Sequence, residues 1–213
     1  MGKIIARHKL FWVQQSAYAN IALSLLLLFV SLLLNYGANV YIESRVNNAV
    51  ADIILDNLPV IDVSAIFILG YVFLLALVLI VLLYEPQQVP FLLKSIALFI
   101  IIRAVFITLT HLGKPVGGLF LDQGTILGKL TTGDDLFFSG HTGMPFLFAL
   151  LYWDHKRLRL MFIALSLIFG FSVLLGHLHY SIDVFAAFFI TYGIFIMATK
   201  FFKKDYKLFL KKV

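Results

Sequence analysis

Residues 61–84 read IDVSAIFILGYVFLLALVLIVLLY, and after Asp62 this stretch contains no charged side chain. A helix of roughly 20 apolar residues is long enough to cross a hydrocarbon core about 30 Å thick. The stretch therefore predicts a transmembrane helix that begins near its one carboxylate.

The rest of the chain shares this apolar character. Of its 213 residues, 62% are hydrophobic and 13% are charged, whereas soluble domains are about half apolar and about a quarter charged. This composition excludes an ordinary soluble globule. The chain has no cysteine, which excludes disulfides, iron–sulfur clusters and thiol nucleophiles. The net charge of +6 comes from residues at the ends of apolar segments, which indicates contact with lipid headgroups rather than with nucleic acid.

Six apolar segments predict an all-α fold, a polytopic bundle of six transmembrane helices. We place the spans near residues 17–36, 61–84, 90–110, 138–153, 160–177 and 183–199, the fourth and fifth being short for a full crossing. Residues 1–16 mix basic and apolar side chains, as an interfacial helix does. Residues 17–199 are then the membrane domain, and residues 200–213 form a basic tail.

Lysine and arginine are distributed unevenly around these spans. Twelve of them fall before the first span, between the fourth and fifth, or after the last, and only three fall in the opposite loops. Because cytoplasmic loops carry the excess of positive charge, we expect both termini to be cytoplasmic.

Few ionisable residues fall within the predicted spans, where each costs at least about 2.5 kcal/mol. The candidates, which lie in these spans or at their ends, are Asp62, Arg103, His141, His177, His179 and Asp183. Under the predicted orientation all of them lie in the outer half of a span. The orientation was inferred from loop residues, so this convergence is independent of it and favours one shared site at the exoplasmic end.

His179 and Asp183 are four residues apart, a spacing that places both side chains on one face of a helix. A carboxylate there holds an imidazole in one tautomer and stabilises its cation, as a nucleophilic or general-base histidine requires. A buried ion pair that joins two helices has the same pattern, and the spacing alone does not choose between them.

The segment from Ser139 to Gly143, SGHTG, is typical of a helix start. Ser139 is the expected N-cap, Gly140 permits close approach of a ligand, and the helix N-terminus favours phosphate. His141 would then lie within reach of a docked anion. The alternative is a capped helix whose histidine extends to the interface.

Arg103 lies in an otherwise apolar stretch, and its guanidinium suits phosphate oxygens. Its alternative role is a permanent salt bridge to Asp62 or Asp183. Together with the two histidines, Arg103 suggests phosphoryl transfer, in which one histidine attacks phosphorus and the other protonates the leaving oxygen. His177 and His179 have no third ligand at metal spacing, so we expect neither a metal nor another cofactor.

Two longer segments carry a family resemblance. GDDLFFSGHT at 133–142 and HLHYSIDV at 177–184 resemble the signature motifs of sphingomyelin synthase-related proteins, a branch of the type 2 phosphatidic acid phosphatase superfamily. LPVID at 58–62 is similar to the early Pro-Asp motif of that branch. Arg103, followed by Thr108 and LGKP at 112–115, resembles its third-span motif. The resemblance covers about residues 57–199.

The resemblance implies six spans and an exoplasmic site. It assigns His179 as the nucleophile that forms a phosphohistidine, Asp183 as its orienting carboxylate and His141 as acid and then base. Arg103 would hold the phosphate, and Asp135 matches an acidic position expected to bind the headgroup. Further substrate contacts are expected from Ser139, Gly140, Asp62 and Tyr180.

The chain also departs from the phosphatase branch. Lys94 and Arg103 are nine residues apart where that branch has Lys-x6-Arg-Pro, and Ser172 is not followed by arginine. Both departures favour the synthase-like branch. Lys114 interrupts the usual turn of that branch, so the headgroup does not follow from the resemblance.

Three hypotheses follow. The first is a lipid phosphotransferase that moves a phospho-headgroup from a phospholipid donor to a lipid alcohol. The second is a lipid phosphate phosphatase that uses the same residues with water as acceptor. The third is a non-enzymatic transporter or lipid-binding protein in which Arg103, Asp62 and Asp183 form a relay.

Overall fold

The computed structural model describes residues 2–13, 15–43, 45, 48–119 and 136–211. Every regular element in that part is helical, which confirms the all-α class. The helices are α1 (Gly2–Trp12), α2 (Gln15–Glu43), α3 (Ser64–Tyr84), α4 (Val89–Leu109), α5 (Gly140–Leu151), α6 (Lys156–Leu175), α7 (Ser181–Phe201) and α8 (Lys203–Phe209). Short 3₁₀ turns lie at Leu55–Asn57 and Pro86–Gln88.

Five helices within the described residues are long and apolar enough to cross a membrane. They are Ser16–Ile42, Ser64–Tyr84, Pro86–Leu109, Lys156–Leu175 and Ser181–Phe201. The predicted fourth span corresponds to α5, which has 12 residues and is therefore only about 18 Å long. The structure thus supports a multi-helix membrane protein, and a sixth full crossing stays a prediction.

The first predicted span ended too early. We expected it to end at residue 36, but α2 continues to Glu43. The reason is tertiary packing, because Ala38 and Ile42 in the last turns of α2 are buried against Ala104 and Ile107 of α4.

The core lies where α5 packs between its neighbours. This helix contacts α6 and α7, while α2 packs along α4 and α3 packs on α6. Phe99, Phe138, Phe148, Phe162 and Phe169 are among the buried side chains of the main cluster. Because α5 is enclosed in this way, its N-terminus is held in a fixed place relative to α4, α6 and α7.

Both terminal helices lie at the same end of the bundle, since α1 and α8 each contact the turn Pro86–Gln88. Arg7 of α1 forms an ion pair with Glu85 at the end of α3. The side of the membrane that this end faces stays a prediction.

The segment predicted as a basic tail folds back onto the bundle as α8. Lys94 and Asp205 form an ion pair of 2.6 Å in which both side chains are less than a tenth exposed. Phe209 packs against the rings of Phe91 and Tyr152. One face of α8 is therefore part of the core at this end.

Candidate active site

Ser139 begins α5 as its N-cap. The side chain is fully buried, and its hydroxyl oxygen accepts hydrogen bonds from the Thr142 amide at 3.4 Å and the Thr142 hydroxyl at 3.2 Å. The Thr142 carbonyl in turn accepts a bond from the Ser166 hydroxyl at 2.7 Å. The predicted cap is confirmed, and the start of α5 is fastened to α6.

The same serine connects the two segments that carry the resemblance. The backbone N–H of Ser139 donates to the backbone oxygen of Asp183 at 3.1 Å. The start of α5, with Gly140 and His141, therefore lies directly beside the start of α7.

Arg103 reaches this point from α4. Its Nε donates to the backbone oxygen of Phe138 at 2.9 Å. A methyl group added to Gly140 would lie 3.2 Å from the same Nε, so glycine is what allows the guanidinium to lie so close to the start of α5. The ion pairs between described side chains join Arg7 to Glu85, Lys94 to Asp205 and His179 to Asp183. The predicted alternative, a salt bridge from Arg103 to Asp62 or Asp183, is not among them.

His179 and Asp183 are in contact, with 3.3 Å between Nδ1 and Oδ2. The contact was predicted, but its structural cause is different. His179 precedes α7, which begins at Ser181, and Asp183 also accepts a bond from the Tyr180 amide at 3.0 Å as part of a capping box. The carboxylate that caps the helix is thus the one that holds the imidazole.

This capping arrangement fixes the direction of the imidazole. With Nδ1 bound to the carboxylate, Nε2 is the ring nitrogen left to react. The Asp183 side chain is 0% exposed, and its Oδ1 has no hydrogen-bond partner within the described part of the chain. A buried carboxylate in this position can stabilise positive charge on the imidazole ring.

His141 is the second residue of α5. The centre of its ring lies 5.3 Å from that of Tyr71 on α3 and 6.3 Å from that of Phe169 on α6. Tyr71 also lies within electrostatic range of Arg103. Tyr71 did not enter the predicted site, although a tyrosine beside Gly70 in the middle of an apolar span could have indicated it.

His177 and Tyr180 hold loops in place. His177 adopts a positive φ of 49°, and its Nε2 donates to the backbone oxygen of Leu58 at 3.2 Å. The buried Tyr180 hydroxyl donates to the Gly113 oxygen at 2.8 Å and accepts from the Val50 amide at 3.1 Å. Both of its hydrogen-bonding roles are taken by backbone groups, so this geometry does not support the predicted substrate contact of Tyr180.

Of the two further carboxylates predicted to contact substrate, Asp62 and Asp135, only Asp62 lies within the described residues. Asp62 is exposed, and its side chain accepts a hydrogen bond at 2.9 Å from the backbone N–H of Ser64, the first residue of α3. The side-chain and backbone hydrogen bonds from Ser64 lower the pKa of the Asp62 carboxyl below the ordinary value of an aspartate. Asp135 lies outside the described residues.

Asp52 is a residue of this region that the sequence analysis missed. Its Oδ2 accepts a bond from the Ser181 amide at 2.6 Å, and its Oδ1 accepts bonds from the amides of Ile54 and Leu55. Burial acts to raise the pKa of the Asp52 carboxyl, but the hydrogen bonds from Ser181, Leu55 and Ile54 outweigh it and lower that pKa below 3.8. Asp52 lies between two predicted spans, where a charged residue carries no membrane cost that would single it out.

The described site is therefore a helical membrane site in which two histidine-bearing segments meet beside an arginine. Residues 133–200 match the family model described as PAP2 superfamily C-terminal. The match covers α5, α6 and most of α7, and so includes His141, His179 and Asp183. It supports a relation to the type 2 phosphatidic acid phosphatase superfamily, whose members are phosphatases and phosphotransferases that act on lipid phosphates. No curated protein matches the chain.

Proposed function

We propose that this chain is an integral-membrane lipid phosphotransferase of the sphingomyelin synthase-like kind. It moves a phospho-headgroup from a phospholipid donor to a lipid alcohol through a phosphohistidine. The observation that carries the proposal is the hydrogen bond from the Ser139 amide to the Asp183 oxygen, because it joins the His141 segment to the His179 segment.

In the first half-reaction, Nε2 of His179 attacks the phosphorus of the donor. A nitrogen–phosphorus bond forms as the bond between phosphorus and the lipid alcohol oxygen breaks, and His141 gives that oxygen a proton. Asp183 stabilises the positive charge on the His179 ring, which the 3.3 Å contact supports.

In the second half-reaction, neutral His141 takes the proton of the acceptor hydroxyl. The acceptor oxygen forms a bond to phosphorus, the nitrogen–phosphorus bond breaks, and His179 returns to its starting state. Both histidines end in their original protonation states, so the cycle needs no cofactor.

The phosphate is held at the start of α5. At the start of α7, the amides of Tyr180 and Ser181 are already bonded to carboxylates, so an anion cannot bind them. A helix N-terminus favours an anion, and the start of α5 also has the Arg103 guanidinium against Gly140. The phosphate is therefore placed at the start of α5 rather than of α7. Gly140 is the first residue of that helix, and Ser139 contributes as its cap, since the Ser139 N–H is already bonded to the Asp183 oxygen.

We further propose that α5 with its flanking residues also crosses the membrane, as the fourth of six spans, and that the site faces the exoplasmic side. The excess of lysine and arginine at the other end supports this orientation. Membrane lipids are then both solvent and substrates, and no nucleic acid is expected as a partner.

The test is to incubate purified protein with a phospholipid labelled in its headgroup phosphate, with and without diacylglycerol or ceramide. A new labelled phospholipid that requires the acceptor supports transfer. Free labelled phosphate without an acceptor supports the phosphatase alternative, in which water attacks the phosphohistidine.

The third hypothesis, a transporter or lipid-binding protein, predicts no chemical turnover of either substrate. Asp62 accepts a hydrogen bond from the Ser64 amide and Arg103 donates to the Phe138 oxygen. These contacts of the described residues do not suggest a relay among Arg103, Asp62 and Asp183. If neither phospholipid nor lipid phosphate is consumed, the enzyme proposal is wrong.

A further inference from the structure

The loop between α2 and α3 is fastened to the turn that carries His179. Val50 bonds to the Tyr180 hydroxyl, and Ile61 donates to the Leu175 oxygen at 2.8 Å. Leu58 accepts from the His177 ring. The loop thus contacts that turn on both sides of His179.

Asp52 adds a further contact between this loop and α7, and here the acceptor is a carboxylate. One of its oxygens binds the Ser181 amide of α7 at 2.6 Å. The other accepts amides of its own loop, from Ile54 at 2.9 Å and Leu55 at 3.2 Å. The Asp52 residue is 8% exposed. Hydrogen bonds to a charged group are stronger than neutral ones, so Asp52 anchors the loop and α7 to each other.

The anchored amide is two residues after His179 and two before Asp183. A carboxylate at a helix N-terminus is stabilised by the helix dipole and fixes where the first turn begins. Asp183 can contact the His179 ring only when Asp183 lies in that first turn. The position of His179 relative to Asp183 therefore depends on where Asp52 holds Ser181.

We propose that Asp52 is a positioning residue of the active site: it holds the first turn of α7 so that Asp183 directs Nε2 of His179 at the phosphorus. This inference rests on the proposed phosphotransfer. It gives the loop between the first two long helices a part in the catalytic machinery, because Asp52 acts there through the position of α7.

The test compares Asp52→Asn and Asp52→Ala with Asp56→Asn. Asp56 is an exposed carboxylate in the same loop, so it controls for loss of charge without loss of the anchor. The measurements are kcat and KM for the labelled phospholipid, at a temperature well below the melting temperature of every variant.

We expect kcat to fall roughly tenfold to a hundredfold in both Asp52 variants, because a catalytic group displaced by about 1 Å can cost on the order of 10²-fold. KM should stay within about twofold, since phosphate binding at α5 is untouched. Added formate should restore part of the activity of Asp52→Ala by filling the vacated carboxylate site, and chloride at equal ionic strength should not. Asp56→Asn should behave as the unmodified protein.

A second measurement does not depend on turnover. Hydrogen–deuterium exchange in residues 177–183 should be faster in Asp52→Ala than in Asp56→Asn, because the Ser181 amide loses its acceptor. Unchanged exchange, or unchanged kcat in both Asp52 variants of an active enzyme, would overturn the positioning role. Faster exchange in a protein that consumes no phospholipid would uphold the anchor and reject the proposed reaction instead.

Discussion

The backbone N–H of Ser139 lies 3.1 Å from the backbone oxygen of Asp183. These residues belong to different helices, and each stands within four residues of a histidine that the sequence marks as chemically important. A main-chain contact of this kind does not depend on side-chain rotamers. It therefore sets the spacing of the two segments more firmly than a contact between flexible side chains would.

Replacing His141 and replacing His179 should impair the reaction at different steps. His179→Ala should abolish the labelled phosphoenzyme, because it removes the nucleophile. His141→Ala should lower turnover of natural phospholipids by about 10²–10⁴-fold, the usual contribution of a general acid. Acid-labile protein label and lipid product are measured in parallel.

A substrate analogue with a nitrophenol leaving group separates the two roles, since nitrophenolate leaves without a proton. With it, His141→Ala should still form the phosphoenzyme and His179→Ala should not. His155→Ala is the control, because His155 is exposed at the start of α6, at the other end of that helix from His177 and His179. Equal loss of labelling in both variants with the analogue would contradict the assigned roles.

The effects of substitutions at Arg103 and at Gly140 on activity should be coupled. Arg103→Lys removes the Nε bond to the Phe138 oxygen, and a hydrogen bond from a charged group contributes about 1.5–3 kcal/mol. We expect kcat/KM to fall by roughly tenfold to a hundredfold. Gly140→Ala places a methyl group 3.2 Å from Nε and should lower activity by displacing the guanidinium.

If both changes act on one contact, the double variant should lose less than the product of the two single losses. Gly193→Ala is the matched control, because a methyl group there meets no atom within 4 Å. Independent effects of Arg103→Lys and Gly140→Ala would show that the glycine is needed for some other reason.

Asp52 should also make stability depend on pH. Its pKa is lowered in the folded protein from 3.8, so the unfolded chain binds the proton more readily. The carboxylate therefore contributes stability above about pH 4, and this contribution is lost as the pH falls through the lower folded pKa. Thermal unfolding in detergent from pH 6 to pH 3 should show a steeper loss for the unmodified protein than for Asp52→Asn. Parallel curves would contradict the hydrogen bonds assigned to Asp52.

At the opposite end of the bundle, the ion pair of Lys94 and Asp205 should be sensitive to the loss of one partner. Both side chains are buried, and breaking such a pair typically costs about 3–5 kcal/mol because a charge is left without compensation. Lys94→Met and Asp205→Leu should each lower the melting temperature, and the double variant should recover most of the loss. Lys207→Met, at an exposed position of α8, should have little effect. A double variant as unstable as the singles would contradict a specific pair.

The sequence predicted best what depends on local composition. The apolar run 61–84 contains α3 at Ser64–Tyr84, and the predicted span 90–110 agrees with Val89–Leu109 to within one residue. These helices follow from the length of apolar segments, which any window along the chain reveals. The cap at Ser139 and the contact of His179 with Asp183 were predictable for the same reason, since their partners are three and four residues away.

What the sequence did not predict depends on distant pairs. Asp52 binds an amide 129 residues further along the chain, and a carboxylate between two spans has no local sign of that partner. Lys94 and Asp205 are 111 residues apart, and the many lysines around Asp205 made the segment resemble a solvated tail. The residues next to Tyr180 in the sequence give no sign that the backbone groups of Gly113 and Val50 bind its hydroxyl.

The orientation of the bundle can be tested directly because the chain has no native cysteine, so a single introduced cysteine is the only reactive thiol. Val116 is 82% exposed in the loop that follows α4, near the proposed site, and Lys207 is exposed on α8 at the end that carries both termini. In sealed cells, a membrane-impermeant maleimide should label Val116→Cys. It should label Lys207→Cys only after the membrane is permeabilised, because the excess of positive charge is expected to hold that end in the cytoplasm. The reverse pattern would place the site on the cytoplasmic side, where its lipid substrates would have to come from the inner leaflet.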